Sequence, residues 1–209
     1  EKALTLLTKG VTSLGFRFED EALISEANLQ VLLKNILSNE VELNFSAAHG
    51  NDKLLKAVVA AFKAQNRDLA AVQGSFDVDP LGALTIDGRL CESSEKTMDF
   101  VADLVKEAKV LPAFQVVNVN GKHFGNAGAT IVQELAFALS AGSEYLSQLT
   151  ERGLTVNEAA KSLRFTLSVG SNYFMEIAKL RAGRLLWSSI VSAFKPAGNE
   201  AAKMLVHCE

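Results

Sequence analysis

Five short polar clusters hold the side chains able to do chemistry: Ser46-Ala47-Ala48-His49, Asp77-Val78-Asp79, Asn118-Val119-Asn120-Gly121-Lys122-His123, Ser168-Val169-Gly170-Ser171-Asn172 and His207-Cys208-Glu209. Each sits at the end of a run with strand character, which is where parallel α/β folds collect function. His123 is the strongest single candidate. It follows an apolar run, has glycines beside it that permit a tight turn, and can donate a hydrogen bond to a substrate carbonyl. A histidine in such a place serves equally to satisfy a buried loop carbonyl. His49 and His207 are weaker, and one histidine per strand end without a carboxylate at fixed spacing is not a metal-ligand pattern. Asp77 and Asp79 form a carboxylate pair by spacing, yet beside Pro80 they fit a solvated turn better. Neither a Ser/His/Asp set nor a Gly-x-Ser-x-Gly elbow is present.

The elements that must position these residues alternate. Leu4, Leu6, Leu7 and Val11 mark the tail of a helix broken at Gly10. Period-2 alternation gives six β-runs near residues 13–18, 41–46, 70–76, 113–119, 164–168 and 203–207. Between them lie apolar faces at helical spacing: Leu29 to Leu37 with Ser25 or Asn28 as cap, Leu54 to Phe62, Met98 to Ala108 after Ser93 or Ser94, a helix opening at Asn126 with Val132, Leu135, Ala136 and Leu139, and Tyr173 to Phe194 ending at Pro196 and Gly198. Residues 77–90, with Asp77, Asp79, Pro80, Gly82, Asp87 and Gly88, read as a long loop of the kind that is often functional. Strict β-α alternation implies parallel strands with right-handed crossovers, in a doubly wound sheet or part of a (β/α)8 barrel. No Gly-x-Gly-x-x-Gly follows the first strand and no Gly-Lys-Ser/Thr loop occurs, which counts against nucleotide-binding open sheets.

Composition narrows the function classes. At 209 residues and 48% hydrophobic, the chain has enough apolar surface for a substantial core. Its net charge of -3, with scattered Lys and Arg, lacks the basic and aromatic groove of a nucleic-acid binder. Cys91 and Cys208 read as two free thiols rather than a disulfide framework. No apolar run approaches the ~20 residues of a membrane span, and Glu1-Lys2-Ala3-Leu4 has no signal-peptide layout. A cytoplasmic location is expected. A start without Met and a stop after an apolar β-run read as a fragment missing its outer units.

Several motifs go further: Asn120-Gly121-Lys122-His123, Asn126-Ala127-Gly128-Ala129-Thr130, Gln133-Glu134-Leu135-Ala136-Phe137, Leu163-Arg164-Phe165, and Phe174-Met175-Glu176-Ile177-Ala178-Lys179-Leu180-Arg181-Ala182-Gly183-Arg184-Leu185-Leu186-Trp187. In this order the chain resembles the methylmalonyl-CoA mutase family, and within it the small (beta) subunit. The resemblance implies an acyl-CoA mutase barrel, a (β/α)8 TIM barrel present here as about six βα units over residues 1–209. It also implies adenosylcobalamin chemistry that interconverts methylmalonyl-CoA and succinyl-CoA, with the radical enclosed by the barrel wall.

The departures from the family pattern fall at sites that matter. Lys122 replaces the tyrosine of Gly-Tyr-His, while His123 is kept; Asn126 replaces an acidic residue. Asp77 stands where the family has a thioester-contacting glutamine. The neighbourhood of the substrate-carboxylate arginine reads Thr85-Ile86-Asp87-Gly88-Arg89, so Arg89 would serve only after a shift of the loop. His207-Cys208-Glu209 keeps the histidine of His-x-Gln with a changed third residue, and Asp-x-His-x-x-Gly, which holds the cobalt-ligating histidine, is absent from these residues. The resemblance with these losses implies a non-catalytic partner of a large (alpha) subunit in a heterodimer, with the cofactor on that partner and His123 a remnant. The competing expectation is a competent subunit in which His123 polarises the thioester and Asp77, Arg89 and Lys122 contact substrate, including a different acyl-CoA such as isobutyryl-CoA.

Overall fold

A computed structural model of the chain describes every residue except Glu1, Ser38 and Cys91. The thiol expected at Cys91 therefore lies outside the described residues. The described residues are mixed α/β with six strands whose pairings are parallel, in two compact units.

The first unit comprises residues 1–78 and 106–116. It contains α1 (Lys2–Thr8), β1 (Ser13–Phe18), α2 (Glu26–Leu32), β2 (Glu42–Ala47), α3 (Asn51–Ala64) and β3 (Gly74–Val78). Gly10 (φ +88) ends the α1 segment as the sequence suggests, and of the two cap candidates Ser25 receives the Asn28 N–H. β2 pairs with both β1 and β3. Alternation puts Phe16, Phe45 and Phe76 on one face, where they stack at 5.8 and 6.0 Å, and Phe114 continues the row at 5.5 Å. Phe62 of α3 caps that row edge-on. Gly74 is required where β3 meets β2: a Cβ there would lie 1.9 Å from the Leu43 carbonyl oxygen. The strand begins four residues later than the pattern suggests, because Asp68 captures the Ala70 N–H and folds residues 68–72 into a turn.

The second unit comprises residues 79–105 and 117–209. It contains α4 (Pro80–Asp87), most of α5 (Ser94–Glu107), the end of β4 (Phe114–Asn120), α6 (Lys122–Asn126), α7 (Ile131–Glu151), α8 (Val156–Lys161), β5 (Leu163–Leu167), α9 (Tyr173–Ala193) and β6 (Val206–Cys208). β5 pairs with β4 and β6. Trp187 of α9, 1% exposed, meets Phe165 of β5 edge-on at 4.8 Å. Gly142 of α7 makes room for both, since a Cβ would come within 2.7 Å of the Phe165 ring.

Three expectations are corrected here. Residues 77–90 are not a long loop: α4 occupies Pro80–Asp87, with Asp79 as N-cap, Pro80 in the first turn and Gly88 (φ +69) closing it in the left-handed region. Asn126 does not open the long helix but ends the short α6; α7 starts at Ile131 behind a capping box of Thr130 and Gln133. Finally, α7 buries Glu134, Leu135, Ala138 and Leu139 and leaves Val132 and Ala136 exposed, while Phe100 of α5 is 41% exposed rather than inward. No helix among the described residues is long and apolar enough to cross a membrane.

Candidate functional site

In the second unit the C-terminal ends of β4, β5 and β6 form a polar mouth. Gly121 turns the chain out of β4 into α6, where a Cβ would press on Leu167 at 2.9 Å and Ala138 at 3.0 Å. Lys122 and His123, both half-buried, are the first residues of α6. The Lys122 ammonium donates to Glu209 Oε2, and His207 Nε2 lies 3.3 Å from the other oxygen of the same carboxylate. The Lys122 hydrogen bond holds the Glu209 carboxyl below its ordinary value, against partial burial. The two positions flagged as departures from the family pattern at β4 and after β6 are thus bonded to each other.

Behind this mouth lies a buried ion cluster that sequence reasoning did not single out. Lys179 of α9 has a fully buried side chain, with its ammonium 2.8 Å from Glu134 Oε2 and 2.7 Å from Glu176 Oε2. It also donates to the Ser168 carbonyl at 2.6 Å. Each glutamate holds one backbone N–H with its remaining oxygen: Ser168 donates to Glu134 at 2.6 Å and Gly170 to Glu176 at 3.0 Å. The loop leaving β5 is therefore fixed by one cation and two carboxylates. Burial alone would lower the Lys179 pKa, but hydrogen bonds to Glu134 and Glu176 outweigh it and raise it. The Glu176 pKa is lowered, because burial, which would raise it, is outweighed by the hydrogen bonds from Lys179 and Gly170. Gly125 of α6 closes on this loop, where a Cβ would stand 2.3 Å from Ser168 Oγ.

Asp79 was expected in a solvated turn and is instead a structural junction. Its Oδ1 accepts from Gly82 N at 2.9 Å and from the Tyr145 hydroxyl at 2.7 Å; its Oδ2 accepts from Asn120 N at 3.0 Å. Tyr145 is completely buried, and burial together with the Asp79 charge pushes its pKa far up, so the hydroxyl stays protonated and donating. The strands also bear polar pairs that the sequence reading passed over. Asn118 of β4 accepts from Thr166 of β5 at 2.8 Å, and in the first unit Asn44 links Ser13 and Ser75 at 2.9 and 2.5 Å. Asn44 and Ser75 lie on the strand face opposite the phenylalanine row.

The residues named from sequence are only partly brought together. Lys122, His123, His207 and Glu209 share the mouth of the second unit, and Arg89 is exposed just past α4 in the same unit. Asp77 is exposed on β3 in the first unit, and His49 is exposed after β2. Cys208 is a free, exposed thiol. Only one part of the ion cluster was visible in the sequence, the three-residue spacing of Glu176 and Lys179 on one helix face.

A family model described as methylmalonyl-CoA mutase matches residues 21–209. The methylmalonyl-CoA mutase small subunit of Porphyromonas gingivalis is 41% identical over 209 residues, which is 99% of this chain and 33% of that protein. The methylmalonyl-CoA mutase of Rhizobium meliloti is 32% identical over 189 residues, 90% of this chain and 26% of its own length. The mitochondrial enzyme of Homo sapiens is 38% identical over 117 residues, 55% of this chain and 16% of its own length. The chain therefore spans at most 33% of these relatives. With the motifs around Lys122–His123 and Glu176–Lys179 inside the matched region, this chain belongs to the methylmalonyl-CoA mutase family.

Proposed function

We propose that this chain is part of the small subunit of a methylmalonyl-CoA mutase, built as a portion of a (β/α)8 acyl-CoA mutase barrel over residues 1–209, and that it supports a large catalytic subunit rather than turning over substrate itself. The observation that carries this reading is the Lys122–Glu209 ion pair. A residue that must meet substrate keeps its polar atoms available, whereas here the strand-end cation already has an internal carboxylate, which also faces His207. The Lys122 charge is satisfied without a ligand, and a substrate carboxylate would have to displace Glu209.

The large subunit is the expected heterodimer partner in the cytoplasm, and it would carry adenosylcobalamin. The His207 imidazole faces the Glu209 carboxylate. In this reading His123, half-buried on α6, has no catalytic task, and Lys122 is held by Glu209 rather than by an acyl-CoA.

The experiment is co-purification of the subunit with its large-subunit partner, followed by a mutase assay with methylmalonyl-CoA. His123→Ala in the small subunit is expected to leave kcat and KM of the complex within about twofold, where loss of a general acid or base costs about 10²–10⁴-fold. Cobalamin-dependent turnover by the small subunit alone, or a hundredfold loss in His123→Ala, overturns the reading.

A further inference from the structure

We propose that α4 is a hinged lid over the end of β4, held shut by a latch formed by Asp79 and Tyr145. The proposal does not depend on whether the chain turns over substrate.

None of the eight residues of α4 is buried, and its apolar side chains Leu84 and Ile86 are 37% and 59% exposed. Side-chain packing therefore contributes little to holding it in place. Its N-terminus is fixed by hydrogen bonds that meet at two side chains. Asp79 caps the Gly82 N–H and also accepts from Asn120 N at the end of β4. Tyr145, from the buried face of α7, donates to Asp79 and accepts from Leu81 N at 2.9 Å. The carboxylate lies so close over Gly82 that a Cβ there would be 2.1 Å from Asp79 Oδ2. The far end closes on Gly88, in the left-handed region with open space around it, followed by the exposed Arg89. A helix that buries no side chain and is held through a few hydrogen bonds at its N-terminus opens as a local unit when those bonds break.

Beneath the lid is a cavity of about 30 Å³ lined by Leu81, Thr85, Asn120, Phe124 and Ala138 among others. Asn120 Oδ1 is buried without a hydrogen-bond partner, the kind of cost a closed core avoids. Opening α4 uncovers this acceptor and the strand end beside Lys122.

Hydrogen–deuterium exchange resolved by peptide tests the latch on the full-length protein. In the parent protein the amides of residues 83–88 are expected to exchange at least about a hundredfold faster than those at the centre of α7, as local opening requires. Tyr145→Phe removes one donor and one acceptor from the latch and is expected to speed α4 exchange about tenfold further, leaving α9 unchanged. Trypsin cleavage after Arg89 should accelerate in parallel. Should Tyr145→Phe not fold, Asp79→Asn, which keeps an oxygen for Gly82 but loses the link to Asn120, carries the same expectation. Parent α4 amides as slow as those of α7, or a variant that speeds α4 and α9 alike, overturns the lid.

Discussion

Replacing Lys179 by methionine removes the cation that two buried carboxylates share. The side chains of Lys179, Glu134 and Glu176 are 0, 2 and 9% exposed, so water cannot take over the missing charge. Breaking a buried ion pair by removing one partner costs about 3–5 kcal/mol. Sharing of one ammonium by two glutamates pushes the expected cost upward. The backbone N–H groups of Ser168 and Gly170, which stay on Glu134 and Glu176, push it down. About 4 kcal/mol is the working figure, and for a protein of this size each kcal/mol lowers Tm by about 2–4 °C. Lys179→Met should therefore melt about 8–16 °C below the parent at neutral pH.

The assay is thermal unfolding followed by the fluorescence of Trp187, the sole tryptophan of the chain and 1% exposed beside Phe165. Two controls separate charge from volume. Adding Glu134→Gln and Glu176→Gln to Lys179→Met removes the stranded charges and should recover at least half of the lost Tm, because replacing a whole buried ion cluster is often close to neutral. Acidification to about pH 5 should narrow the gap between parent and single variant, because a carboxylate stranded in a buried site takes up a proton more readily. A fall in Tm of under about 2 °C, or a triple variant as unstable as the single one, would refute the claim that electrostatics organise the β5 loop.

Further outcomes follow from the same geometry. Gly142→Ala places a methyl 2.7 Å from the Phe165 ring and 3.1 Å from Trp187, so overpacking should cost about 1–3 kcal/mol in denaturant unfolding and shift Trp187 emission. In pH titrations the depressed Glu176 pKa gives stability that is complete above its ordinary 4.5 and lost as pH falls through the lowered value. The raised Lys179 pKa gives stability that is complete below 10.5 and lost as pH rises through the raised value. Both limbs should flatten in the triple variant. Lys122→Ala, which breaks a partly exposed pair, should change stability by no more than about 1 kcal/mol in the same unfolding assay.

The strand series was legible where strands alternate, as β1 and β2 do, and four of the six expected runs overlap their strands along most of their length. The last, near residues 203–207, overlaps β6 only at Val206 and His207. The run at 70–76 starts four residues ahead of β3, because the turn at Asp68 leaves no mark in the hydrophobic pattern. α4 was read as a loop for a related reason: it buries no residue, so the periodicity that reveals a helix was never needed there. Its start and stop signals, Asp79-Pro80 and Gly88, were in plain view. Glu134 entered the sequence reading only as a motif residue, since nothing local marks it as buried; its partner Lys179 lies 45 residues further on. Pairings at such distance, like Lys122 with Glu209 at a separation of 87, belong to tertiary structure and leave no local trace.

The two departures at the mouth gain a meaning together that neither has alone. A lysine at the turn out of β4, half-buried and unpaired, would carry a desolvation cost. The attraction of Glu209 offsets that cost, with the lysine side chain 27% and the glutamate 47% exposed. A catalytic mouth works the other way, leaving charge unsatisfied until substrate arrives, because only then is the interaction spent on the transition state. The Glu134–Lys179–Glu176 cluster obeys the same logic one layer deeper: every charge faces a partner inside the chain. Under the supporting-subunit reading, charges paired at both layers leave little for an incoming anion to gain.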